Sequence, residues 1–144
     1  MNIVEVARKE IGYIEQPGNK TKYGIWFGLN GVAWCAIFVS WCYAKAGRPL
    51  PKIGWSNGFA GCQLGYEYFT KKGKIVTDPQ PGDIVLYDFN GDGRRDHTGI
   101  FVRWITESGK FEAIEGNTSL KNQTNGGSVM LRVRNKKTAV FVRP

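Results

Sequence analysis

An α+β fold, with helices packed on an antiparallel β-sheet, is what this sequence predicts, and three observations predict it. The first is a thirteen-residue run, Trp34–Ala46, that is apolar nearly all round and holds no breaker, the pattern of a buried helix. The second is a series of five short segments in the C-terminal half, rich in β-branched and aromatic residues and separated by turn clusters such as Glu107-Ser-Gly-Lys110 and Asn125-Gly-Gly127. The third is their order: the helical patterns precede Lys71 and the strand patterns follow it. Successive strands therefore lack the crossover helix that parallel pairing requires.

Taken in turn, Ile3, Val4, Ala7 and Ile11 give one apolar face of a short helix that Asn2 caps and Gly12 ends. Residues 13–33 are polar and glycine-rich around Tyr23, Trp26 and Phe27, and read as a structured loop of the kind that builds a cleft wall. The central helix stops at Gly47, with Pro49 and Pro51 beyond it. A second helical stretch is expected around Gly58–Phe69, weakened by internal glycines. Strands are expected at Ile84–Tyr87, Thr98–Trp104, Phe111–Ile114, Val129–Val133 and Ala139–Val142. At 144 residues and 42% apolar, the chain has the size of one domain with a sizeable core, ordered throughout.

Twenty Lys and Arg against twelve Asp and Glu leave a formal charge of +8, which favours a polyanionic partner. Nucleic acid is not expected, because there is no Arg-rich helix, zinc spacing or basic-aromatic sheet motif. Charged residues interrupt every apolar run of the N-terminus, so neither a secretory signal nor membrane insertion is expected. Cys35 and Cys42, seven positions apart on one helix, lie roughly 10 Å apart by helical rise, too far to bridge. Free thiols and a reducing compartment of synthesis follow.

The residues that carry chemistry start with Cys35, at the first turn of the central helix, where free amides and the helix dipole favour a thiolate. Cys42, two turns further in, and Cys62, with no helix start of its own, read as small core hydrophobes. A thiolate attacking an amide needs a group that takes and returns a proton, and His97 is the only histidine. The orienting group expected for that base is Glu115, with Asn117 as the alternative acceptor, substrate contact or loop-holding residue. Asn30 is a candidate second oxyanion donor beside the Cys35 amide. Trp26, Trp34 and Trp55 suit either a groove wall or the core, while Trp41 and Trp104 are expected in the core.

The stretch Asp88-Phe-Asn-Gly-Asp-Gly-Arg-Arg-Asp96 spaces oxygen ligands as a calcium loop does, and names Asp88, Asn90, Asp92, Arg94 and Asp96 as a structural Ca²⁺ set. Position twelve of that pattern is Gly99 rather than a glutamate, so the site would be a variant. The competing reading is a polar turn whose carboxylates Arg94 and Arg95 neutralise.

The segments Trp34-Cys-Ala-Ile-Phe-Val-Ser-Trp41, Pro79-Gln-Pro-Gly-Asp-Ile-Val85, His97-Thr-Gly-Ile-Phe-Val102 and Ile114-Glu-Gly-Asn117, in this order and spacing, resemble the cysteine, histidine-dependent amidohydrolase/peptidase (CHAP) family. That resemblance implies a papain-like α+β scaffold, with Cys35 as nucleophile, His97 as base and Glu115 with Asn117 as polar partners. It also implies peptidoglycan as substrate, an amidase or endopeptidase reaction as in bacteriophage endolysins, and no cofactor for the chemistry. On this reading residues 1–144 are one catalytic domain without a separate wall-binding domain, a monomer made in the host cytoplasm and acting at the cell wall. Its charge would supply affinity for anionic wall polymers. The rivals are a toxin-type wall amidase effector, a catalytically silent calcium-dependent binding module, and acyl transfer through the same thioester.

Overall fold

The breaker-free run after Trp34 folds as the helix its composition demands, and eight of its eleven residues, Cys35–Lys45, are buried. A computed structural model describes residues 1–144. In chain order the helices are α1 (Ile3–Arg8), α2 (Lys22–Phe27), α3 (Cys35–Lys45) and α4 (Cys62–Lys71). The strands that follow are β1 (Ile75–Val76), β2 (Ile84–Tyr87), β3 (His97–Trp104), β4 (Lys110–Thr118), β5 (Ser128–Asn135) and β6 (Ala139–Val142). They form one antiparallel sheet in the order β1-β6-β2-β3-β4-β5, so the α+β architecture is the one expected. No helix is long and apolar enough to cross a membrane.

Helix α3 lies across β3 and β4, with α1 and α2 against it. Asn2 caps α1 as expected, its side chain accepting from the Glu5 amide at 2.9 Å. The stretch 13–33 is more ordered than a loop: it contains α2, which Thr21 caps by accepting from the Gly24 amide at 2.9 Å. Helix α4 starts at Cys62 rather than near Gly58, after a glycine N-cap at Gly61. Strands β2 and β6 fall on the expected residues, and β3, β4 and β5 extend beyond theirs.

The central strands are buried on both faces, which is why β2 reads as the unbroken apolar run Ile-Val-Leu-Tyr rather than an alternation. Ile84 and Leu86 join the large core beneath the helices. Val85 and Tyr87 face a second cluster with Phe101, Phe111, Ala113 and Phe141. Trp34 is deep in the main core, stacked on Tyr23 at 5.5 Å, with its ring N–H donating to Glu15 at 2.8 Å. Trp104, expected in the core, is 37% exposed at the rim of the second cluster, packed edge-on against Phe101, Phe111 and Phe141.

The Pro79–Val85 motif is a structural clamp. Asp83, nearly buried, accepts from the Gln80 amide and from Arg143, both at 2.8 Å, while Tyr43 of α3 donates to the Gly82 carbonyl. It ties the start of β2 to α3 and to the end of β6.

Close approach of α3 to β4 depends on Gly116. A Cβ there would lie 2.7 Å from the Trp34 ring and 2.8 Å from the Phe38 Cβ. Overpacking of this kind costs about 1–3 kcal/mol. Gly116→Ala is expected to lower the urea midpoint accordingly, and an unchanged midpoint would mean that α3 is free to withdraw from the sheet.

Candidate active site

An arginine, a glutamate, a histidine and two cysteines converge where the starts of α3 and α4 meet the beginning of β3. The arrangement follows from strand register. His97 is the first residue of β3 and is paired with Tyr87, on whose ring it stacks at 5.9 Å. Glu115 of β4 reaches His97 because Gly99 leaves the intervening space open: a Cβ there would sit 2.6 Å from the Glu115 Cγ. The glycine in His97-Thr-Gly is therefore a requirement of the pair.

His97 Nε2 and Glu115 Oε1 are 2.9 Å apart, both side chains fully buried. A carboxylate only accepts, so Nε2 carries the hydrogen. The other ring nitrogen, Nδ1, is buried with no hydrogen-bond partner in the fold. It is the nitrogen left for Cys35.

Glu115 is held from its far side by Arg134 of β5, whose Nη2 and Nε donate to its two oxygens at 2.6 and 3.0 Å. Arg134 also donates to the Gln123 side chain at 2.8 Å and lies over the Phe89 ring at 4.7 Å. Sequence reasoning missed this arginine. Burial alone would push the Glu115 carboxyl up, yet the hydrogen bonds and charges of Arg134 and His97 hold it down at about 2.

Cys35 is the first residue of α3, and Trp34 before it offers no capping side chain, so the first-turn amides are free to face an anion. Cys62 does not stand as an inert core residue without a helix start. It is the first residue of α4, and its sulfur lies 3.7 Å from that of Cys35. The hydrogen bond from Cys62, the neighbouring imidazole and the Ala36 amide together outweigh burial and hold the Cys35 thiol well below its ordinary range. Cys62 moves the opposite way, pushed up by its hydrogen bond to Cys35 and by burial, so it keeps the shared proton. Burial pulls the His97 imidazole down, but Cys35 and Glu115 override it and raise it to about 9. Thiolate and imidazolium stabilise each other. Cys42 has no such surroundings, and burial pushes it up. All three cysteines are free.

The remaining candidates lie off this chain of charge. Asn117, in the left-handed region at φ 55°, turns its side chain away from the imidazole: it donates to Asn125 at 3.1 Å and accepts from the Gly127 amide at 3.0 Å, which makes it the loop-holding residue of its three expected roles. Asn30 is an exposed loop residue whose side-chain oxygen accepts from the Thr21 and Gly31 amides, both at 3.0 Å. Trp34 is core rather than groove wall, whereas Trp55 is 39% exposed.

In the Asp88–Asp96 loop, Asp88 accepts from the Gly91 and Gly93 amides at 2.9 Å, Asn90 from Asp92 at 3.3 Å and Asp92 from Arg94 at 2.9 Å. Asp96 leaves one buried carboxylate oxygen without a partner, but no three acidic, histidine or cysteine side chains group as metal ligands. The side-chain oxygens of the loop cap its own backbone amides. The loop is docked on α4, with the Arg95 amide donating to Gln63 at 2.8 Å and the guanidinium over Tyr66 at 4.7 Å.

A helix-start cysteine facing a histidine–carboxylate pair, on a helix-and-antiparallel-sheet scaffold, is the arrangement of a cysteine–histidine amide hydrolase. A family model described as CHAP domain matches residues 27–117, more than half of the chain, and the chain belongs to that family of amidohydrolases and peptidases. It is similar to the uncharacterized protein YhbB of Bacillus subtilis (strain 168), 34% identical over 73 residues, which are 51% of this chain and 22% of that protein. Among solved structures it resembles the crystal structure of a wild type endolysin, LysIME-EF1, with a TM-score of 0.59 over 99% of this chain and 62% of that one. At 12% identity that likeness is one of fold. The chain spans less than two thirds of either protein.

Two stability consequences follow from these charges. The depressed carboxyl of Glu115 contributes stability above its ordinary value of 4.5 and loses it as pH falls towards about 2. The raised imidazole of His97 contributes fully below 6.5 and loses its contribution as pH rises through about 9. Removing Arg134 strands a buried carboxylate, which costs about 3–5 kcal/mol. Arg134→Met is expected to lose that much in urea unfolding at neutral pH and to recover part of it in acid, where Glu115 protonates. A loss that does not change with pH would show that packing, not charge, is what Arg134 supplies.

Proposed function

We propose that this chain is a peptidoglycan hydrolase of the bacteriophage endolysin kind, cleaving an amide bond of the cell wall by a thiol mechanism. The observation that carries this reading is the hydrogen-bonded series His97–Glu115–Arg134, with the unpartnered Nδ1 of His97 beside the Cys35 thiol, together with family membership.

In this mechanism the Cys35 thiolate attacks the amide carbonyl, and the resulting oxyanion takes the Cys35 N–H at the open start of α3. His97, charged on Nδ1 towards the sulfur, protonates the departing amine. The neutral imidazole then takes a proton from water, which opens the acyl-enzyme. Glu115 keeps the ring in the orientation that presents Nδ1, and Arg134 keeps Glu115 ionised. Asn117 holds the loop that follows β4. No step runs through a metal ion. The +8 charge supplies affinity for anionic wall polymers, so wall clearing is expected to fall with rising salt.

The decisive assay is turbidity loss of purified cell walls, with mass spectrometry of the released fragments. Cys35→Ala and His97→Ala are each expected to lower the rate by at least about a thousandfold, and Glu115→Gln by roughly 10²–10⁴-fold. The fragments identify the bond, and release of free acid rather than a new amide separates hydrolysis from acyl transfer. An active Cys35→Ala variant would overturn the proposal. In an EDTA arm, loss of activity that Ca²⁺ restores would assign the ion to the Asp88–Asp96 loop, and unchanged activity would leave the loop as a turn.

The pH profile has an expected shape. Leaving-group protonation needs the imidazolium, so kcat/KM should hold through neutrality and fall as His97 deprotonates near about 9. In Glu115→Gln that alkaline limb should move to lower pH. A limb that stays in place would separate Glu115 from the base.

A further inference from the structure

Cys62 is the group the mechanism leaves unused, and its placement is specific. Two helix starts bring it within 3.7 Å of the Cys35 sulfur, while the third cysteine, Cys42, lies fully buried two turns deeper in α3. Cys35 and Cys62 keep 5% and 8% of their surfaces accessible, enough for a small oxidant to reach the pair. Closing 3.7 Å to the roughly 2.0 Å of a disulfide needs a movement smaller than one bond length plus a side-chain rotation.

We propose that Cys62 is a resolving cysteine, which joins Cys35 in a reversible disulfide when a hydroperoxide oxidises the site. In the first step the Cys35 thiolate attacks the terminal O–H oxygen of the hydroperoxide, the O–O bond breaks, and the alkoxide (hydroxide from hydrogen peroxide) leaves and is protonated, giving a sulfenic acid at Cys35. In the second, Cys62 loses its proton, its sulfur attacks the Cys35 sulfur, the S–O bond breaks and the hydroxide takes up that proton as water. The sum is two thiols and one hydroperoxide giving one disulfide, one water and the reduced oxidant. The order of events is built into the site. While Cys35 is a thiolate, its charge and hydrogen bond keep the proton on Cys62; once Cys35 becomes a neutral sulfenic acid, both restraints disappear and Cys62 becomes the nucleophile. A dithiol reductant reverses the bond.

That the disulfide silences the enzyme rests on the hydrolase reading; the bond itself does not. The test treats the reduced full-length protein with hydrogen peroxide and maps its peptides by mass spectrometry without reduction. The expected result is one Cys35–Cys62 cross-link with Cys42 left as a thiol, and wall clearing that falls by at least about tenfold and returns with dithiothreitol. In Cys62→Ser or Cys62→Ala, each read against its own untreated activity, peroxide should carry Cys35 on to sulfinic and sulfonic acid, and dithiothreitol should not reverse it. Peroxide-treated wild type with no such cross-link, or with Cys35 directly over-oxidised, would overturn the proposal. A cross-link in a protein that clears no wall when reduced would sustain the resolving role and overturn the hydrolase reading instead.

Discussion

Everything at this site depends on a carboxylate that should not be ionised where it is. Glu115 is completely buried, and a buried carboxylate ordinarily takes up a proton. Two donors from Arg134 on one side and the imidazole N–H on the other replace the water it has lost. Because Glu115 stays charged, His97 has one orientation and one available nitrogen. Because His97 is held as a cation, the Cys35 thiol beside it is drawn well below its ordinary range. The polarity runs through four side chains, and each makes the next one's charge affordable in a dry environment.

The fold is arranged to bring these groups together from distant stretches of chain. The sheet supplies Arg134, Glu115 and His97 from three successive neighbours, β5, β4 and β3, and antiparallel register fixes their order. The helices supply the sulfurs, both at first turns where free amides favour an anion. Two glycines make the contacts possible: Gly99 gives Glu115 its space, and Gly116 lets α3 settle on β4 so that Cys35 arrives beside His97. Neither glycine is there for flexibility. Each marks a point where a Cβ would collide with the group being positioned.

Much of this was legible in the residues. The central helix, the strand cores and the trio Cys35, His97 and Glu115 follow from breaker placement, β-branched runs and the scarcity of histidine. What was hidden depends on tertiary register. Arg134 sits in Leu-Arg-Val-Arg, which in a basic chain reads as a solvated strand; only its pairing opposite Phe111 places it on the buried side with Glu115. Cys62 was obscured by the glycines around it, one of which is the cap of α4. Helix α2 was masked by Gly24 and its aromatic neighbours, although Thr21 three residues earlier was the available capping signal. Trp104 has the residue type of a core position, but it ends a strand at the rim, where one face meets solvent.

The central claim is that His97 rests as a cation between Glu115 and the Cys35 thiolate, and the molecule offers a direct view of it. With a single histidine, the imidazole signals in an NMR pH titration of the ¹⁵N-labelled protein belong to one residue. The account predicts an imidazolium that persists through neutral pH and titrates near about 9, and that titrates at lower pH in Cys35→Ala. A neutral ring that titrates near its ordinary value of 6.5, in wild type and variant alike, would contradict it.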